Sequence, residues 1–97
     1  MQGVVTPLEI RMHYVYVIRS EKDKHMYTGC TDNLRKRFSQ HNEGKCISTK
    51  GRGPFKLVCY EASLDRHDAM DRERYLKTGM GKRYIKNRLK RFLSLTG

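Results

Sequence analysis

Long apolar runs are missing from this chain: the longest unbroken one extends only from Tyr14 to Ile18. That is far too short to span a bilayer, and the first eleven residues lack the basic-then-apolar order of a secretion signal. Cysteine is also scarce. Cys30, Cys46 and Cys59 are odd in number and contain no C-x-x-C pair, which argues against a disulfide framework and against a zinc site. Reduced thiols in a cytoplasmic protein fit best. Acidic residues are outnumbered, 10 against 21 Lys and Arg, and the net charge is +11. Such a charge repels itself in a compact state and points to a polyanionic partner. Nucleic acid is the first candidate and an anionic membrane surface the second; a basic surface without a specific partner is the plain alternative.

What is present fits one small domain, since 97 residues can bury a single, marginally stable core. Met12 immediately precedes the first strand-like segment, so residues 1–12 read as an upstream extension or expression remnant and residues 13–95 as the domain. His13 to Arg19 alternates as a strand, with Tyr14, Tyr16 and Ile18 on one face and Val15 and Val17 on the other. Ser20 to Lys24 reads as a turn and Met26 to Cys30 as the return strand, bent or closely approached at Gly29. Thr31 or Asp32 is expected to cap a helix running to Asn42, with Gly44 as its stop. Residues 44–54 form a glycine-rich basic loop, long enough to be a functional candidate. Phe55 to Ala62 is a third strand. Ser63 or Asp65 starts a second helix reaching Lys77, which Gly79 and Gly81 break. Lys82 to Leu95 is the last helix, with Ile85, Leu89 and Phe92 on one stripe. The expected fold is α/β of the α+β kind: a small, three-stranded, mostly antiparallel sheet flanked by three helices.

Helical projection singles out polar residues on inward faces. Leu34, Arg37, Phe38 and His41 share one face of the first helix. With Leu34 and Phe38 in the core, Arg37 and His41 lie at or near the buried side. A guanidinium there must be paired, line a wet pocket, or snorkel at the rim of the core. Ala69, Glu73 and Leu76 share a face of the second helix, which makes Glu73 an inward or rim carboxylate unless it only pairs with Lys77 four residues on. A phosphodiester-cleaving site uses these residue types: phenols to handle protons, a guanidinium to hold phosphate charge, an imidazole for either task and a carboxylate for a metal. The tyrosines also have an ordinary structural reading as packed strand residues. His13, His25 and His67 show no ligand spacing and read as surface residues.

Together these segments resemble the GIY-YIG nuclease superfamily. Its first motif stands here as Tyr14-Val15-Tyr16, with tyrosine for the usual glycine. Its second stands as Tyr27-Thr28-Gly29, with threonine for isoleucine. The stretch Thr31–Asn42 looks like the helix after the motifs, and Ala69–Lys77 like the carboxylate helix. The match spans residues 13–91 and is nearest to small stand-alone bacterial members and to the N-terminal catalytic domain of the excision-repair nuclease subunit. The resemblance implies a metal-dependent endonuclease that hydrolyses DNA with low sequence specificity, with a role in repair or recombination. Position by position, it implies that Tyr27 is the general base, Tyr16 the second motif tyrosine, Arg37 the phosphate-holding arginine and Glu73 the ligand of Mg²⁺ or Mn²⁺. His41 matches a position held by histidine or tyrosine. Tyr14 occupies the altered first position, and Asn87 stands in for a late asparagine. Cys30 follows the second motif where some members carry lysine.

In the implied mechanism Mg²⁺ keeps most of its waters, so one glutamate plus phosphate oxygens suffices. A free phenol titrates near about 10, so Tyr27 as a base needs the metal and Arg37 to lower it. Phosphate contacts fall to Arg35, Lys36, Lys45, Lys50, Arg52, Lys82, Arg83 and Lys86. A non-cleaving nucleic-acid-binding module and a partner-dependent nuclease subunit are the alternatives. RNA as substrate and a protein partner fit the same chemistry; a membrane does not.

Overall fold

The computed structural model describes residues 11–96. Residues 1–10, most of the expected extension, lie outside the described residues. The chain runs β1 (His13–Ser20), β2 (Met26–Thr31), α1 (Leu34–Asn42), a 3₁₀ turn (Ile47–Thr49), β3 (Phe55–Ser63), α2 (Arg66–Leu76), α3 (Gly79–Arg88) and α4 (Lys90–Thr96). The strands form one sheet in the order β2-β1-β3, and both pairings are antiparallel. Among the described residues no helix is long and apolar enough to cross a membrane.

The alternation in β1 places its two side-chain sets on different layers. Tyr16 and Ile18 join Phe55 in one core, which α1 covers with Leu34 and Phe38. Val15 and Val17 join Ala69, Leu76 and Ile85 from α2 and α3 in the other. Burial of each such aliphatic side chain contributes about 1.5–3 kcal/mol, so the central strand anchors both layers. A bulge between Val17 and Ile18 shifts the register with β3 from Cys59 to Leu57. Among the described residues, the edge of β2 away from β1 has no strand partner.

Several boundaries differ from the sequence reading. Asn33, not Thr31 or Asp32, caps α1 by accepting from the Lys36 amide at 3.1 Å. Thr31 stays in the strand and its hydroxyl accepts from the Asn33 amide instead. Gly44 is the stop, in the left-handed region at φ +73°. The 44–54 loop is ordered by its 3₁₀ turn and tethered to β1, where the Ser20 hydroxyl donates to the Arg52 carbonyl at 2.5 Å. Asp65 caps α2.

The expected last helix is two helices, which brings the total to four among the described residues. Gly79 and Gly81 lie inside α3 rather than between helices, because Thr78 caps it by accepting from the Gly81 amide. Gly81 is buried, and a β-carbon there would overlap the Tyr75 carbonyl and the Leu76 backbone. Small size at this position lets α3 close onto α2. At the far end Leu89 leaves helical geometry (φ −103°, ψ 17°) and packs on the core of Val15, Val17, Ala69, Leu76 and Ile85, while Phe92 lies under the Arg19 guanidinium, 5.7 Å away.

Candidate active site

A cleft of about 840 Å³ runs along β2 and is lined by every residue from Met26 to Cys30. From the α1 side it receives Arg37 and His41; from β1, Tyr16; from α2, Glu73; and from α3, Lys82 and Lys86. Tyr27 lines it from β2 itself. Five expected site residues from four elements therefore face one space, with two of the expected phosphate-binding lysines at its wall. The cleft straddles the unpartnered sheet edge, and that is how α1 and α2, on opposite faces, both reach it.

The motif tyrosines differ in surroundings. Tyr16 is 2% exposed and pairs across the ladder with Gly29. A β-carbon at Gly29 would overlap the Tyr16 ring and hydroxyl, which gives this motif glycine a steric cause. Burial raises the Tyr16 pKa above the usual phenol value, and the neighbouring Arg37 guanidinium only partly offsets it. Tyr16 is therefore neutral at pH 7. Tyr27 is half-buried, edge-on to Phe55 with centroids 5.8 Å apart.

His41 is buried at 6% exposure, as its inward position requires. Its Nε2 lies 2.8 Å from the Tyr16 hydroxyl and its Nδ1 2.7 Å from the Thr49 hydroxyl. Burial, and then the charge of Arg37, lower its pKa, so the ring is neutral at pH 7. Arg37 itself is exposed rather than at the buried side, because α1 turns its guanidinium toward the cleft mouth. Its pKa is raised chiefly by interaction with the Tyr16 hydroxyl.

Glu73 sits at the rim, its side chain 24% exposed, and pairs with Lys77 at 3.0 Å. An i,i+4 pair of this kind is worth about 0.2–0.5 kcal/mol, too little to bar a cation from the carboxylate. Among the described residues no three His, Cys, Asp or Glu side chains converge on a point. The donor set fits a hard divalent ion that holds its waters and borrows substrate oxygens, not one caged by protein alone. Cys30 lies in the same cleft, its thiol pushed up first by burial and then by Glu73.

Other expected residues lie elsewhere. Tyr14 packs edge-on against Tyr60 at 5.8 Å and does not line the cleft; this packing accounts for a tyrosine where the motif usually has glycine. Asn87 and Arg83 border a separate depression on α3, which Lys86 shares. Lys36 lines a shallow depression continuous with the cleft through Arg37 and Cys30. Arg35 and Lys50 are exposed outside the cleft. Lys45 is paired with Glu43 and Arg52 with Asp23. Sequence reasoning missed Thr49, and also Lys24 and His25 at the cleft wall. Thr49 is eight positions from His41, and no local spacing signals their contact.

Residues 12–90 match the GIY-YIG catalytic domain. The UPF0213 protein CPE1444 of Clostridium perfringens is 46% identical over 67 residues, 68% of this chain and 71% of its own. The UPF0213 protein YazA of Bacillus subtilis is 38% identical over 71 residues, 72% of this chain and 71% of its own. The solution NMR structure of the UPF0213 protein BH0048 from Bacillus halodurans superimposes with a TM-score of 0.50 at 34% identity, covering 78% of this chain and 83% of that one. With residues 12–90 matched by the family model, this chain belongs to the GIY-YIG catalytic-domain family.

Proposed function

We propose that this protein is a metal-dependent endonuclease that hydrolyses phosphodiester bonds in DNA. The observation that carries the reading is the convergence of Tyr16, Tyr27, Arg37, His41 and Glu73 on one cleft along an open strand edge. Arg37, exposed at the mouth, would hold the non-bridging oxygens of the scissile phosphate. Tyr27 would take the proton of the attacking water. Tyr16, kept neutral by burial, suits hydrogen-bond donation better than proton removal. Glu73 would hold Mg²⁺ or Mn²⁺, which when bound polarises a phosphoryl oxygen and screens the leaving group. Lys82 and Lys86 supply positive charge along the wall that Cys30 cannot. Nothing in the sequence reads as a base-specific element, so little sequence preference is expected, and a repair or recombination substrate would be chosen by shape.

The test is nicking of supercoiled plasmid in Mg²⁺ or Mn²⁺ against EDTA. Metal-dependent nicking that Arg37→Ala lowers by about 10²–10³-fold, comparable to the loss of one transition-state donor, supports the reading. Binding without cutting in every metal tried would make the protein a binder or a partner-dependent subunit.

A further inference from the structure

Lys24 is the one non-glycine residue with a positive φ among the described residues, at +67°. A β-carbon is disfavoured in that region and glycine is not, so a turn selected for stability alone would carry glycine or asparagine here. The hydrogen bonds of the turn fix this backbone. The Lys24 amide donates to the Ser20 carbonyl and the Ser20 amide to the His25 carbonyl, both at 2.9 Å. Buried Arg19 donates from Nε to the Lys24 carbonyl at 3.4 Å. The Ser20 hydroxyl oxygen accepts from the Lys22 and Asp23 amides, both at 3.1 Å. The turn is in addition bound to the 44–54 loop, through the Glu21 amide on the Pro54 carbonyl and Lys22 Nζ on the Gly51 carbonyl. Lys24 is thus held in an unfavourable conformation on a braced body, and it lines the cleft together with His25.

Its charge is also available. The neighbouring cations are engaged: Lys22 with the Gly51 carbonyl, Arg52 with Asp23 and Lys45 with Glu43. Lys77 lines the cleft but pairs with Glu73. Among the described residues, the lysines that line the cleft without an acidic partner are Lys24, Lys82 and Lys86. Lys82 and Lys86 belong to α3; Lys24 comes from the turn between the motif strands. It precedes Tyr27 by three residues and Gly29 by five, about 10–16 Å at the rise of an extended chain. One strand of a duplex advances about 3.4 Å per phosphate, so Lys24 meets a phosphate about three to five nucleotides from the one at Tyr27 and Arg37.

We propose that Lys24 is a phosphate-binding residue that grips the substrate backbone beyond the cut, at the β1–β2 turn, and so sets how much duplex must flank the cleaved bond. The flank requirement rests on the nuclease reading above; the phosphate contact requires only that DNA occupies the cleft. A left-handed lysine is retained in the turn because its ammonium contributes to substrate binding more than a glycine would contribute to folding.

The test uses the full chain and Lys24→Gly, which removes the charge and the backbone cost together. The midpoint of denaturant unfolding is expected to rise while DNA binding weakens. A lower midpoint would show that the lysine serves the turn itself and would overturn the proposal. In fluorescence anisotropy on a long duplex in EDTA, the slope of log K against log salt is expected to shrink by about 1. Lys56→Gln removes the same charge from an exposed position outside the cleft, and is expected to leave that slope as it was. An unchanged slope in Lys24→Gly, or equal losses in the two variants, would overturn the proposal. In Mg²⁺, cuts in an end-labelled duplex are expected to be depleted within about five nucleotides of one kind of end, 5′ or 3′, and Lys24→Gly to relieve that depletion. At internal sites its KM should rise severalfold with kcat unchanged, the sign of lost uniform binding. A cutting pattern identical in the variant would also overturn it. If the slope depends on Lys24 but no metal supports cutting, the phosphate contact stands and the nuclease reading falls. Cutting by a protein whose slope ignores Lys24 is the reverse outcome.

Discussion

At the scale of single residues, the Tyr16–Gly29 pair ties the two motif strands to the chemistry of the site. Any β-carbon at Gly29 meets the Tyr16 ring and hydroxyl, so Gly29→Ala is expected to cost about 1–3 kcal/mol in denaturant unfolding. The same substitution in a Tyr16→Phe background should cost less, because the crowded oxygen is gone. His41 gives a pH signature. Its folded pKa is depressed by burial, so the unfolded chain takes up a proton more readily. Stability is therefore complete above the unfolded value of about 6.5 and is lost as pH falls below it toward the folded value. Chemical denaturation between about pH 7 and about pH 5 should show this loss, and His41→Gln should flatten it. His41 was legible in the sequence because its position at i+7 from Leu34 forced it inward. Thr49 was not, since a buried hydroxyl on a loop has no periodicity. Arg37 was placed at or near the buried side with three alternatives open, and the structure shows it exposed and lining the cleft, because projection gives a face but not the reach of a long side chain.

At the scale of elements, alternation in β1 and the caps of α1 and α2 were readable to within a residue or two. The last third was harder. Glycine at 79 and 81 signals a helix break by propensity, yet Gly81 is required by close packing of α3 on Tyr75 and Leu76. The actual break is made by Thr78, whose hydroxyl accepts from the Gly81 amide and donates to the Tyr75 carbonyl at 2.6 Å. Thr78→Ala should therefore cost about 1 kcal/mol of stability, and Thr78→Ser or Thr78→Asn much less, in the same unfolding assay. An unaffected Thr78→Ala protein would mean that packing alone orients α3. That orientation matters for function because α3 brings Lys82 and Lys86 to the cleft.

At the scale of the whole molecule, the chain carries +11 of net charge while Glu73 is the acidic residue lining the cleft among the described residues. Affinity for DNA is expected to fall steeply with salt, with log K linear in log salt concentration. Removing Lys82 or Lys86 should reduce that slope by about 1 each, measured by fluorescence anisotropy on duplexes of unrelated sequence. A slope indifferent to both would place the DNA elsewhere. The sequence showed how much charge there was but not which charges meet, because Lys45 and Arg52 are spent on Glu43 and Asp23 while the α3 lysines border the cleft. The measurement that bears most directly on the whole account is single-turnover cleavage of labelled DNA in Mg²⁺ by Glu73→Gln beside the unaltered protein, with binding followed in the same samples. The account requires rapid metal-dependent cutting by the unaltered chain and its loss in Glu73→Gln with binding retained. Cutting that survives the substitution, or an unaltered protein that binds and never cuts, would contradict it.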